Sequence, residues 1–261
     1  MRDQHQRALE KAQARLLEEA PGLLAILVAG SIAKGIDRDA SDVDLIVIVP
    51  EEEYAARLAE NRVGFLWRDI CDYENGYVEG RFLGKDFLLA AVERGSEPTR
   101  HSFTGVYPVY CIDPGIPEIL PLIPVYPETE RAGKIQSFLA QMQLNRWYFW
   151  KEGVRRGDRY LQMRAATEIV LFGCRLILAH NRQLFACQRR LVEQTLAVPL
   201  KPAGLKEKID RLLGEMTDDA VEDFCSSVIS FADWGECDLL NRFLQDSEMS
   251  WFTGHCGVSE S

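Results

Sequence analysis

Residues Leu23 to Val49 read LLAILVAGSIAKGIDRDASDVDLIVIV, and the fold is decided there. Leu23 to Ala29 is a short, unbroken apolar run, which predicts a strand covered on both faces. Gly30, Ser31 and Gly35 follow, then a polar loop, Ile36 to Ser41, then a second predicted strand, Asp42 to Val49, stopped by Pro50. Successive side chains of a strand alternate between faces, so Asp42 and Asp44 point one way while Val43 points into the core. Two carboxylates on one rigid face make a hard oxygen site that suits Mg²⁺ carrying substrate phosphates. Gly30 and Gly35 let the main chain pass close to a ligand. Ser31 offers a hydroxyl and an amide to a phosphate oxygen, and Lys34 a point charge. A lone Gly-Ser or Asp-x-Asp arises by chance; the specificity lies in each part sitting on the element its chemistry requires.

Outward from this segment, Ala8, Ala12, Leu16 and Leu17 fall near helical spacing and predict an amphipathic helix from Arg2 to Glu19, ended by Pro21-Gly22. Its charged pattern lacks the apolar core and cleavage site of a secretory signal, so none is expected. Downstream, Glu51 to Asn61 reads as a helix, and Val63 to Cys71 and Gly76 to Leu83 as strands flanking the turn Asp72 to Gly76. Val106 to Ile112 reads as a further strand, closed by Asp113-Pro114-Gly115. Pro114, Pro117, Pro121, Pro124 and Pro127 predict an ordered linker. Beyond it helical periodicity dominates: Gly133 to Gly153, Tyr160 to Asn181, Leu191 to Val198, Leu205 to Leu213 and Asp218 to Trp234. Thr217 is an N-cap candidate before Asp218 and Asp219. After Ser247 the tail reads as polar and loose. The expected fold is α+β: a mixed sheet with helices over residues 1–126, then an all-α bundle over residues 127–261.

Length and composition agree. A chain of 261 residues has room for about two domains. With 47% hydrophobic and 27% charged residues, it is neither disordered, collagen-like nor a coiled coil. No apolar run approaches the roughly 18 residues of a membrane span. Cys71, Cys111, Cys174, Cys187, Cys225, Cys237 and Cys256 are odd in number and contain no C-x-x-C pair. Neither a disulfide framework nor a thiolate zinc site is supported, and reduced thiols in a cytoplasmic protein are expected. A net charge of −10 disfavours a grip on long nucleic acid and favours a cationic small molecule as partner.

The stretch Gly30-Ser31-Ile32-Ala33-Lys34-Gly35, followed by Ser41-Asp42-Val43-Asp44-Leu45, resembles the nucleotidyltransferase superfamily typified by DNA polymerase β. It looks most like the antibiotic nucleotidyltransferases of the aminoglycoside and lincosamide kind. The sharp resemblance covers Leu23 to Val49, is diffuse to about Pro127, and is architectural in the helical half. It implies a catalytic domain over residues 1–126 and a helical domain, 127–261, that closes on substrate and nucleotide. It further implies that Gly30 and Ser31 hold a triphosphate and that Asp42 and Asp44 bind divalent metal, one or two Mg²⁺ ions. A substrate hydroxyl would attack the α-phosphate of ATP or another nucleoside triphosphate in line, releasing pyrophosphate. The family also uses a third carboxylate on a later strand, as metal ligand, base or both. Glu79 in Gly76-Tyr77-Val78-Glu79-Gly80-Arg81-Phe82 is the candidate, a Glu where many relatives have Asp; Asp69, Asp72 and Asp86 are its rivals. The expected acceptor is a small, cationic hydroxyl compound. The alternatives are a tRNA end, a protein side chain, or a module that binds nucleotide without turnover.

The remaining residues read more plainly. Arg146, Lys151, Arg155, Arg156 and Arg159, interleaved with Trp147, Tyr148 and Trp150, form either a cationic aromatic wall over the nucleotide or an amphipathic helix with solvated arginines. Phe138, Trp147 and Trp150 read as core. Arg164 and Glu168, four apart, read as a surface pair. His5, His101, His180 and His255 are far apart and have no ligand-like neighbour in sequence.

Overall fold

A computed structural model describes residues 1–254 and 257–259. His255 and Cys256 lie outside the described residues. The chain packs as two compact units: residues 1–95 with 99–125, and residues 96–98 with 126–261.

The first unit is built on a five-stranded mixed sheet. Helix α1 (Asp3–Glu19) leads into β1 (Ala25–Val28), the single turn α2 (Gly30–Ala33), β2 (Val43–Val49), α3 (Glu51–Ala59), β3 (Gly64–Trp67) and β4 (Val78–Gly84). There follow α4 (Lys85–Arg94), α5 (Glu97–Ser102), β5 (Tyr107–Cys111) and α6 (Gly115–Ile119). The strand order is β3-β4-β2-β1-β5, with β2 and β4 parallel and the other pairings antiparallel. Alternation along β2 explains why both faces are apolar. Val43, Leu45 and Val47 pack with Ala8, Leu9, Ala12 and Leu16 of α1 on one face. Ile46 and Ile48 pack with Leu88, Phe103, Ile116 and Leu120 on the other. The parallel pair is in register Asp44 opposite Glu79, which makes strand position alone bring two acids together.

The proline-bearing segment departs from the expected linker. It forms α6 and a 3₁₀ turn, Leu120–Leu122, and buries Ile116, Leu120 and Ile123 over the sheet. These three follow helical spacing, and Pro117 and Pro121 fall in or near first turns, where a missing N–H costs no hydrogen bond.

The helical unit is centred on α9 (Arg159–His180), which is buried almost all round from Ala165 to Ala179. Before it come α7 (Arg131–Leu144), a π turn, Asn145–Phe149, and α8 (Trp150–Arg156). After it come α10 (Leu191–Ala197), α11 (Leu205–Glu215), α12 (Asp218–Ile229), α13 (Leu239–Ser247) and the short α14 (Ser250–Thr253) in the tail expected to be loose. Thr217 caps α12 by accepting from Ala220 N. The π turn inserts one residue into the helical phase, so Phe138 and Trp150 are buried while Trp147, expected in the core, is 52% exposed. Residues 96–98 join this unit because Glu97 is buried in it, 3.3 Å from Lys134 Nζ and 3.4 Å from Arg175, and accepts from Phe185 N. Arg175 in turn lies against the rings of Phe138 and Phe185. Among the described residues no helix is long and apolar enough to cross a membrane, and the cysteines are free thiols.

Candidate active site

The acids of the second predicted strand stand where β1 ends and the parallel pair begins. Ala29 N donates to Asp44 O at 2.9 Å, which ties the entry of α2 to β2. Gly30 then takes φ +63°, and a Cβ at that position would lie 1.7 Å from Asp44 Oδ2. The Asp44 carboxylate therefore rests directly on the Gly30 main chain, an approach only glycine permits. Gly35 N donates to Ile32 O and Ile36 N to Ser31 O, closing the turn. Ser31 Oγ is buried and has no hydrogen-bond partner among the described residues. A buried hydroxyl left unpaired costs about 1–3 kcal/mol, which an incoming acceptor recovers. Lys34 Nζ is 3.5 Å from Nδ1 of His101, a neighbour that no local pattern reveals.

Asp42, Asp44 and Glu79 are brought together, each half-buried, with ligand oxygens within 4.8 Å of one another. Among the described residues they are the one set of His, Cys, Asp or Glu so placed. Tyr77 and Arg81 share the face of Glu79, while Val78 and Phe82 enter the core as alternation requires. Burial first, then repulsion from Asp42 and Glu79, pushes the Asp44 carboxyl from its ordinary 3.8 up to about 7; Arg81 opposes this. In its protonated form Asp44 shares a hydrogen bond with Glu79. The nearby Asp42 carboxylate first, then burial, pushes the Tyr77 phenol up to about 12, so it stays protonated at neutral pH. Arg81 also donates to Ser102 Oγ at 3.0 Å.

The rivals of Glu79 are engaged elsewhere. Asp69 pairs with Arg15 at 3.1 Å, and Asp72 is held by Arg7 at 2.8 and 3.2 Å. Asp86 is exposed at the start of α4. These pairs belong to a wider brace. From α1, Gln4 also donates to Asp39 O, Lys11 to Ile70 O, and the buried His5 lies 3.3 Å from Asp37. One helix thus grips both loops that deliver the acids.

In the helical unit, Arg146 pairs with Glu222, Lys151 with Asp218, and Arg155 and Arg156 with Glu152. These cations are matched by acids of their own unit, as the solvated-face reading has it. Arg164 and Glu168 are not in ion-pair contact among the described residues, but they still interact: burial raises the half-buried Glu168 carboxyl and the charge of Arg164 opposes the rise. His180 packs edge-on against Phe231 and Trp234.

A carboxyl that titrates near 7 sets the pH dependence of cation binding. Below about pH 7 a cation must displace the Asp44 proton, so affinity is expected to fall about tenfold per pH unit down to the next titration. The same shift makes the metal-free fold lose stability as pH rises from about 4 through 7, because only the folded state still holds the proton there. A Mn²⁺ titration repeated between pH 5.5 and 8.5 measures the first effect; a flat profile would contradict it. Gly30→Ala is expected to lower the melting temperature through φ strain of about 1–3 kcal/mol and to displace Asp44. Scanning fluorimetry showing an unchanged melting temperature would contradict the cradle.

No family model and no curated protein matches this sequence. Among solved structures, the crystal structure at 1.90 Å resolution of a nucleotidyltransferase-like protein from Exiguobacterium sibiricum 255-15 aligns with a TM-score of 0.51 at 14% identity, covering 94% of this chain and 79% of that one. The chain therefore shares the overall fold of that protein, with an acidic triad of Asp42, Asp44 and Glu79 gathered at the mouth of its parallel strand pair.

Proposed function

We propose that the protein is a metal-dependent nucleotidyltransferase that moves a nucleoside monophosphate, AMP from ATP, onto the hydroxyl of a small cationic acceptor of the aminoglycoside kind. The observation that carries this reading is the convergence of Asp42, Asp44 and Glu79 beside a glycine turn with an orphaned serine hydroxyl. The donor set fits a hard divalent cation: all three ligands are carboxylate oxygens, and their mutual repulsion is what such an ion relieves. Bound there, Mg²⁺ supplies charge neutralisation between the carboxylates and the phosphates.

The other parts follow from the chain's own groups. Ser31 Oγ, unpaired and buried, donates to a phosphate oxygen, and Gly30 lets the phosphate approach the main chain. Lys34 adds positive charge on the same turn. Glu79 accepts the proton of the attacking hydroxyl, while Asp42 and Asp44 hold the cation. Little covalent help is needed, because phosphoryl transfer is governed by positioning and charge. The acidic net charge supports a cationic acceptor over a long polyanion.

The test is direct: protein, ATP and Mg²⁺ are incubated with aminoglycosides, lincosamides, tRNA and a protein mixture. Pyrophosphate release and a gain of one nucleoside monophosphate in mass on the small molecule are the expected results. The same mass on tRNA or protein changes the acceptor but keeps the chemistry. Metal-dependent ATP binding without pyrophosphate release in any mixture would leave a binding module and overturn transfer.

A further inference from the structure

We infer that His101 is a positioning residue for Lys34: its imidazole holds the ammonium that stands on the glycine turn. Lys34 Nζ lies 3.5 Å from His101 Nδ1. An ammonium has no lone pair, so Lys34 donates, Nδ1 accepts and the ring proton sits on Nε2. The imidazole places the cation while adding no negative charge to it. That matters because a lysine ammonium is a point charge on a flexible four-carbon stem. Ordering the stem during folding spares that entropy loss when a phosphate arrives.

The imidazole is held fast because both of its flanks are built into the sheet unit. Arg100 is buried, and its guanidinium donates to Gly95 O at 2.9 Å, Val92 O at 3.0 Å and Ile123 O at 3.3 Å. Phe103 is buried in the cluster that holds Ile46 and Ile48 of β2. Between them, Ser102 Oγ donates to Thr99 O at 2.7 Å, which leaves the oxygen to accept from Arg81 of β4 at 3.0 Å. Just beyond α5, Gly105 takes φ +75°, and a Cβ there would lie 2.6 Å from Ala33 O. The chain after α5 thus rests on the main chain immediately before Lys34, an approach that a side chain would block. One segment meets the turn twice, through its backbone at Ala33 and through an imidazole at the Lys34 ammonium, from 67 positions away.

This inference rests on the proposed role of Lys34 toward a triphosphate, and its test separates the two. Calorimetry measures binding of the α,β-methylene analogue of ATP with Mg²⁺, without acceptor or turnover. The proteins are wild type, Lys34→Met, His101→Phe, His101→Asn and the double variant Lys34→Met/His101→Phe. His101→Phe is expected to weaken binding about tenfold, the scale of one hydrogen bond to a charged group. His101→Asn, whose Oδ1 can stand in for Nδ1, is expected to restore most of the affinity. Lys34→Met should lose at least as much as His101→Phe, and the double variant no more than Lys34→Met, since the holder then has nothing to hold. His101→Leu enters the same cycle, so that a packing fault of the phenyl ring cannot decide the outcome. If the single losses multiply in the double variant, or if His101→Asn loses as much as His101→Phe, the positioning role is overturned. If His101→Phe binds as wild type while Lys34→Met does not, His101 has no role and Lys34 keeps its own. If Lys34→Met itself binds as wild type, the phosphate role of Lys34 falls, and the inference with it.

Discussion

Asp44→Asn is expected to lower turnover by about 10³-fold or more, the share of a barrier that charge stabilisation of several kcal/mol represents. The same change is expected to raise the melting temperature of the metal-free protein at pH 8, by about 2–4 °C for each kcal/mol of relieved repulsion. Both effects come from one arrangement. Three carboxylates with oxygens within 4.8 Å are stable together only with a proton or a cation among them, and Asp44 is the one pushed up to about 7. Above that pH the metal-free site carries its full repulsion, which asparagine removes while keeping the shape against Gly30. Below about pH 6 the stabilisation should vanish, because Asp44 already carries a proton in the folded state. Scanning fluorimetry in chelator at pH 5.5 and 8, beside turnover at saturating Mg²⁺, measures both. A variant with wild-type turnover would overturn the assignment of Asp44.

Glu79→Gln is expected to cut kcat by about 10²–10⁴, the usual contribution of a general base. Triphosphate affinity should change far less, since Asp42 and Asp44 remain. Glutamine preserves the length and the strand position opposite Asp44, so the fold has no reason to move. The neighbouring Arg81, drawn to both Asp44 and Glu79, marks this face as one where charge is balanced locally. Pre-steady-state measurement of the transfer step distinguishes the two quantities. A loss confined to triphosphate affinity would make Glu79 a ligand only.

How much of this was legible depends on whether a residue's partners are local. The strand, glycine turn and second strand were readable because alternation is a two-residue pattern, and it correctly set Asp42, Asp44 and Glu79 on one face. The same alternation places Glu79 beside them, while the engagement of Asp69 and Asp72 elsewhere shows only once Arg15 and Arg7, more than fifty residues earlier, are seen beside them. Counting prolines hid the spacing of Ile116, Leu120 and Ile123, which is what folds that segment onto the sheet. The π turn was invisible because one inserted residue shifts the phase of a 3.6 period without any marker in composition, moving Trp147 to the surface. Tyr73 gave no signal, since its hydroxyl reaches across 32 positions to Ser41.

The grip of α1 on both loops has a consequence for synthesis. This helix leaves the ribosome before the strands whose loops it braces, and its partners at Asp37, Asp39, Asp69 and Asp72 follow 32 to 65 positions later. Contacts of that separation close late, after the loop entropy has been overcome by the strands between them. A nascent chain ending before Val78 holds Asp42 and Asp44 with no β4 beside them, so their crowding with Glu79 has not begun. The repulsive cluster thus forms only when β4 pairs with β2, after the helix that braces its loops has already emerged.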